Sequence, residues 1–185
     1  CENTEELFSF FKRTKIISIG ELEDSELAER LNSENQVLCI VNTRKQAQNV
    51  FRLLDEKGRY HLSTFMYPIH RKETLREIRT RLLRGLPCRV VSTSLIEAGI
   101  DVDFPVVYRA EAGLDSEIQA AGRCNREGRR DVSPVYIFKP TEEYRKKMPS
   151  MLKRPTEIAC SIANQFTVIS SPQAITSYFK QLYKF

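Results

Sequence analysis

At 185 residues the chain has the size of one compact domain, and two full domains would be crowded. Hydrophobic residues at 41% and charged residues at 29% allow a packed core without metals or disulfides and exclude global disorder. The longest apolar run covers residues 37–41, too short to span a bilayer, and the net charge is +5.

In chain order, the hydrophobic pattern predicts a strand over residues 15–19 and a helix over 24–32 with Leu27, Ala28 and Leu31 on one side. Residues 37–41 are continuously apolar, as in a strand buried on both faces. Thr43 then suits an N-cap, and Ala47, Val50, Phe51 and Leu54 recur at helical spacing up to Gly58, which suits a helix stop. A strand over 61–66 and a helix over 71–84 follow, the latter with Leu75, Ile78 and Leu82 inward and ended by Gly85 and Pro87. Strands over 88–92 and 104–108, a helix over 116–122 and a last strand over 135–138 complete the alternation. Six strands with intervening helices predict an α/β fold with a doubly wound, mostly parallel sheet and helices on both faces. Beyond Pro140 the pattern turns helical over 141–152, 155–165 and 172–183. The expected organisation is therefore a domain over 1–140, with 1–14 as lead-in, and a helical appendage over 141–185 leading toward a further domain.

Charge is uneven. Residues 1–35 hold 4 Lys/Arg against 9 Asp/Glu, whereas 36–185 hold 25 against 15. The excess gathers between Arg71 and Arg89 and again between Arg123 and Arg130. The first cluster fits either a phosphate-binding surface or the solvated face of a helix. Five widely spaced cysteines, two of them in strand-like runs, and only two histidines leave no zinc spacing and suggest a reducing cytoplasm. The acidic N-terminus carries no signal pattern, and Cys1 is expected to mark a processing or expression boundary.

Open α/β sheets bind ligands at the carboxyl ends of their strands, and three segments carry suitable residues. After the strand over 37–41, Thr43 and Arg44 open a helix whose free N–H groups can hold a phosphate, although Thr43 also works as a plain N-cap. After the strand over 88–92 come Thr93 and Ser94, then Gly99, Asp101 and Asp103: hydroxyls for phosphates and a carboxylate for a sugar hydroxyl, or an ordinary loop. Finally, Gln119, Gly122, Arg123 and Arg126 place two guanidinium groups one helical turn apart, a fork suited to a polyphosphate or to surface ion pairs. In this last segment Ser116 and Gln119 also have the spacing of a capping box.

Taken together, residues 37–47, 91–103 and 119–126 resemble motifs IV, V and VI of the second RecA-like domain of superfamily 2 helicases. The run from Ser94 to Pro105, then Ala112 to Ser116, then Gln119 to Gly128, is similar to the CRISPR-associated helicase-nucleases of type I interference systems. That resemblance implies a half-motor working with a first RecA-like domain, single-stranded DNA, a CRISPR surveillance complex, ATP and Mg²⁺. It implies that Arg126 is the arginine finger, Arg123 a second phosphate contact and Gln119 a neighbour of the γ-phosphate and attacking water. Asp101, with Gly99 and Gly122 beside it, is implied to meet the ribose or to tie motif V to motif VI. Thr43 and Thr93, with Arg44, Ser94 and Arg71 as weaker candidates, are implied to hold the DNA backbone.

No G-x-x-x-x-G-K-[ST] loop and no HD nuclease signature occur, and Asp55-Glu56 follows a helical pattern rather than a buried strand. The chain by itself is therefore expected to be inactive as an ATPase, with the lysine and the Mg²⁺ ligands coming from the first domain. Two other expectations stand beside this one: the second motor domain of a different superfamily 2 DNA or RNA helicase, and a non-catalytic nucleic-acid-binding module.

Overall fold

A computed structural model describes residues 13–63, 66–93 and 101–184. Six strands form one sheet: β1 (Thr14–Leu22), β2 (Gln36–Ile40), β3 (Arg59–Leu62), β4 (Cys88–Ser92), β5 (Val107–Ala110) and β6 (Ser133–Pro140). Their order is β1-β6-β5-β2-β4-β3, and every pairing is parallel. The helices are α1 (Asp24–Ser33), α2 (Arg44–Leu53), α3 (Pro68–Leu83), α4 (Leu114–Ala121), α5 (Glu142–Lys146), α6 (Ser150–Gln165) and α7 (Pro172–Leu182).

β2 is buried along its whole length, which is why its sequence lacks polar alternation. Leu38 and Ile40 join Ile78 of α3 and Ala120 of α4 in one core. Val37, Cys39 and Val41 face the opposite way, against Leu27 and Leu31 of α1 and Ala47 and Val50 of α2. The period of two along one strand thus divides the helices between the two faces. Fully burying each of the Val, Leu and Ile side chains among them contributes roughly 1.5–3 kcal/mol.

Some boundaries depart from the sequence pattern. Gly58 does not stop α2, which already ends at Leu53, with Leu54 turning to extended backbone. Instead Gly58 opens β3 at φ 77°, where an added Cβ would lie 2.2 Å from the Pro87 carbonyl oxygen. α3 begins at Pro68 rather than 71, because proline fits the first helical position without losing a bonded N–H. Gly85, left-handed at φ 67°, follows its end as expected. β5 starts at Val107 rather than 104, since Pro105 has no N–H to give the ladder. In the helical tail the break falls at Pro149, and Pro155 lies inside α6. The Pro155 ring is used for packing: a Cβ at Gly113 would come within 2.9 Å of it. Fully buried Tyr178 of α7 donates to Asp115 of α4 at 2.8 Å, so α6 and α7 are seated on the start of α4.

Candidate functional site

The candidate residues separate onto the two rims of the sheet, about 16 Å apart for a strand of β2's length. Thr43 lies just past β2 and Thr93 just past β4, both at the carboxyl rim. Thr43 caps α2, its Oγ1 accepting the Gln46 N–H at 3.2 Å, while Thr93 is buried. Arg44 is exposed on the first turn of α2, and Arg71 is half-buried in the first turns of α3. Ser94 and Gly99 lie outside the described residues.

The third segment does not reach that rim, contrary to the sequence expectation. α4 leaves the carboxyl end of β5 and runs back across the sheet, so the residues that follow it emerge at the amino rim. There Phe104 forms a parallel bridge with Cys124, the Phe104 N–H donating to the Arg123 carbonyl at 2.9 Å and the Asn125 N–H to the Phe104 carbonyl at 3.0 Å. The Arg126 N–H donates to Asp103 Oδ1 at 2.7 Å, and the Arg126 guanidinium pairs with the Asp101 carboxylate at 3.2 Å. The tertiary structure thereby joins the two segments that sequence reading placed on one functional unit, but it does so at the opposite edge.

At this rim a cleft of about 160 Å³ is lined by Gln36, Arg79, Asp101, Asp103, Arg129 and Arg130, among others. Arg126 and Asp101 stay open to solvent, with side chains 40% and 75% exposed. An exposed guanidinium beside further basic groups suits a polyphosphate supplied from a facing surface. Arg123 is half-buried, Gln119 is exposed two residues before the end of α4, and Gly122 caps that helix with its N–H bonded to Ile118.

Three residues were missed by sequence reading. Asn125 is fully buried and left-handed at φ 48°. Its Nδ2 donates to the carbonyls of Arg13 at 3.1 Å and Arg130 at 2.6 Å, and its Oδ1 accepts the Arg130 N–H at 3.1 Å. Asn tolerates this backbone and ties the turn that presents Arg126. The only sequence signal was an Asn followed three residues later by Gly128, itself left-handed. Arg109, fully buried in β5, donates to Asn42 Oδ1 at 2.7 Å, while Asn42 donates to the Glu111 carbonyl at 2.7 Å, bracing the carboxyl ends of β2 and β5. Glu117 takes the place expected of the Ser116–Gln119 capping box: its Oε1 accepts the Ala112 N–H at 3.2 Å. Burial pushes the Glu117 carboxyl up to about 7, against the opposing pull of the Ala112 N–H and Arg109. Glu117 also lines a cleft of about 540 Å³ between β1, β6 and α6.

A fully parallel six-stranded sheet with helices packed on both faces is a RecA-like α/β fold. Comparison with known proteins narrows the class. The family described as CRISPR-associated nuclease/helicase Cas3, C-terminal, matches residues 33–129, and the chain belongs to it. It is 31% identical over 96 residues to the CRISPR-associated nuclease/helicase Cas3 of Methanothermobacter thermautotrophicus, a match covering 51% of this chain and 12% of that protein. Among solved structures, one described as a CRISPR-associated protein superposes with a TM-score of 0.70 at 16% identity, covering 93% of this chain and 22% of the other. T. fusca Cas3 with AMPPNP gives a TM-score of 0.58 at 19% identity, covering 71% and 18%. The chain thus spans a small fraction of the proteins it matches.

Proposed function

We propose that this chain is the second RecA-like half of an ATP-driven DNA translocase acting in CRISPR interference, with its two rims doing different work. The amino rim meets ATP bound on a first RecA-like domain. The Arg126 guanidinium enters as the finger that stabilises charge developing on the transferred phosphoryl group, and Arg123 gives a second phosphate contact. Gln119 orients the attacking water, and Asp101 holds Arg126 in place until the triphosphate arrives or meets the ribose. Gly99 and Gly122 let the chain approach the nucleotide closely. Mg²⁺ bound with ATP would be held by residues of the first domain and would neutralise phosphate charge there. What supports that division is the partly exposed Arg126 guanidinium at the amino rim; the cleft beside it balances Arg79, Arg129 and Arg130 against Asp101, Asp103 and Glu127.

The carboxyl rim carries single-stranded DNA. Thr43 and Thr93 contact its backbone, with Arg44, Ser94 and Arg71 adding charge or hydroxyls. Tyr67, 82% exposed where α3 begins, adds an open ring to that rim. A CRISPR surveillance complex delivers the DNA, and the isolated chain, without a Walker-type loop, has no turnover of its own.

The observation that carries this reading is the Arg126–Asp101 pair standing open on the rim where motif V meets motif VI. In the full-length protein, Arg126→Ala should lower ATP turnover by roughly 10³–10⁵ while leaving nucleotide affinity within a few-fold. Turnover retained in that variant removes Arg126 from the finger role. A full-length protein that performs its biological task with turnover abolished would instead make this chain a passive binding module.

A further inference from the structure

We infer that Arg79 is a positioning residue for Arg126, acting through the backbone of Asp101. The inference rests on the motor reading above. The Arg79 Nε–H donates to the Asp101 carbonyl at 2.8 Å, and Asp101 is the residue whose carboxylate pairs with Arg126 at 3.2 Å. The strip over residues 101–104 is bonded to 123–126 further inward, through Asp103 to the Arg126 N–H and through the Phe104–Cys124 bridge. Asp101 is at the outer end of that strip and mostly solvated, so burial does not fix it. An exposed ion pair alone holds two long side chains in one geometry poorly. Asp101 orients Arg126 only if Asp101 is itself held.

Arg79 is well placed to hold it. Its neighbour Ile78 is fully buried in the core. The last turn of α3 is pinned to β2 by the Gln36 amide, which donates to the carbonyls of Arg81 at 3.2 Å, Leu82 at 3.3 Å and Leu86 at 3.1 Å. The link from core to rim therefore runs from α3 through Arg79 to Asp101 and on to Arg126. It acts through a hydrogen bond to a main-chain oxygen, so its effect depends on a donor at the right distance rather than on positive charge. A finger must be held within a fraction of an ångström to act on a transition state, and small misplacements are costly.

The test uses three variants and two readouts. In the 185-residue chain without nucleotide, hydrogen exchange at the Arg126 amide should speed up about tenfold in Arg79→Ala, with β2 and β4 unchanged. In the full-length protein the same variant should lower kcat for ATP roughly tenfold, with KM within about threefold. Arg79→Gln, a neutral donor, should restore both readouts most of the way, and Arg79→Lys should do so less well. Unchanged exchange in Arg79→Ala, or rescue by Lys but not by Gln, overturns the positioning role, the second outcome marking Arg79 as a direct phosphate contact. If the unsubstituted full-length protein shows no turnover, the motor reading fails and this inference with it. If turnover is normal and insensitive to Arg79→Ala, the inference alone fails.

Discussion

The two rims of the sheet use their polar side chains in contrasting ways. At the carboxyl rim the hydroxyl and amide groups are engaged by the fold, while Arg44 and Tyr67 stay exposed: Thr43 caps α2, Thr93 is buried, and Asn42 is locked between Arg109 and Glu111. At the amino rim the turn is rigid but its working group is open: Asn125 is buried and fully bonded, while Arg126 beside it keeps its guanidinium in solvent. Under the proposed function the contrast suits two ligands: a nucleic-acid backbone would meet the fixed hydroxyls and N–H groups, and a transferring phosphate would meet the charged group on the supported turn.

The strongest way to break this comparison is at the support. Asn125→Ala removes three buried hydrogen bonds and places a residue less suited to the left-handed backbone. It should cost about 3 kcal/mol in unfolding free energy by denaturant titration and abolish turnover in the full-length protein. Asn125→Gly keeps the backbone but not the amide and should recover only part of the stability. A loss below about 1 kcal/mol for Asn125→Ala would show that the turn does not depend on that amide.

Next comes the junction that braces the carboxyl rim from behind. A Cβ at Gly113 would lie 2.6 Å from both the Tyr178 hydroxyl and Asp115 Oδ1. Gly113→Ala should therefore cost about 2 kcal/mol, through displaced packing of α7 on α4. Calorimetric unfolding measures it, and faster amide exchange in α7 than in β2 would localise the loss.

Glu117 sharpens the comparison through pH. Its folded carboxyl titrates near 7 against a reference of 4.5, so the folded state binds more protons across that window. Stability attributable to this group is therefore present below about 4.5 and falls as pH rises toward 7. Glu117→Gln keeps an acceptor for the Ala112 N–H without the charge. It should be more stable than the parent at pH 8 by roughly 1–2 kcal/mol and indistinguishable near pH 4. Parallel pH–stability curves for the two proteins would contradict the burial argument.

The smallest effect belongs to Thr43. Thr43→Ala should cost about 1 kcal/mol through the lost cap, and Thr43→Ser should cost almost nothing. Single-stranded DNA affinity at low salt, measured by fluorescence anisotropy, should fall with Ala and hold with Ser. Equal affinity in all three would leave Thr43 with its capping role alone.

Much of this was legible in the chain. The unbroken apolar run of β2, the helical spacing after Thr43 and the β-α alternation predicted the parallel sheet. The runs from Ser94 to Pro105, Ala112 to Ser116 and Gln119 to Gly128 together resembled the family closely enough to point to it. What was missed follows from chain direction and from positions whose local signal is weak. A parallel sheet requires each crossover helix to return to the amino rim, so the expected architecture already implied where α4 ends, and placing the arginines on the carboxyl edge overlooked that direction. Arg109 lies just past the strand expected over 104–108, and only the central place of β5 in the sheet buries it; Pro155 was expected near a helix start and instead lies inside α6 against Gly113.

The sequence by itself determined which residues are apolar and at what period, and therefore the strands, most of the helices and the parallel architecture, because burial follows local periodicity. Only the tertiary structure decided which charged side chains share a rim, which are buried and braced, and which stay open. Those outcomes depend on contacts between residues far apart in the chain, such as Arg126 with Asp101 and Asn125 with Arg13, which no local pattern encodes.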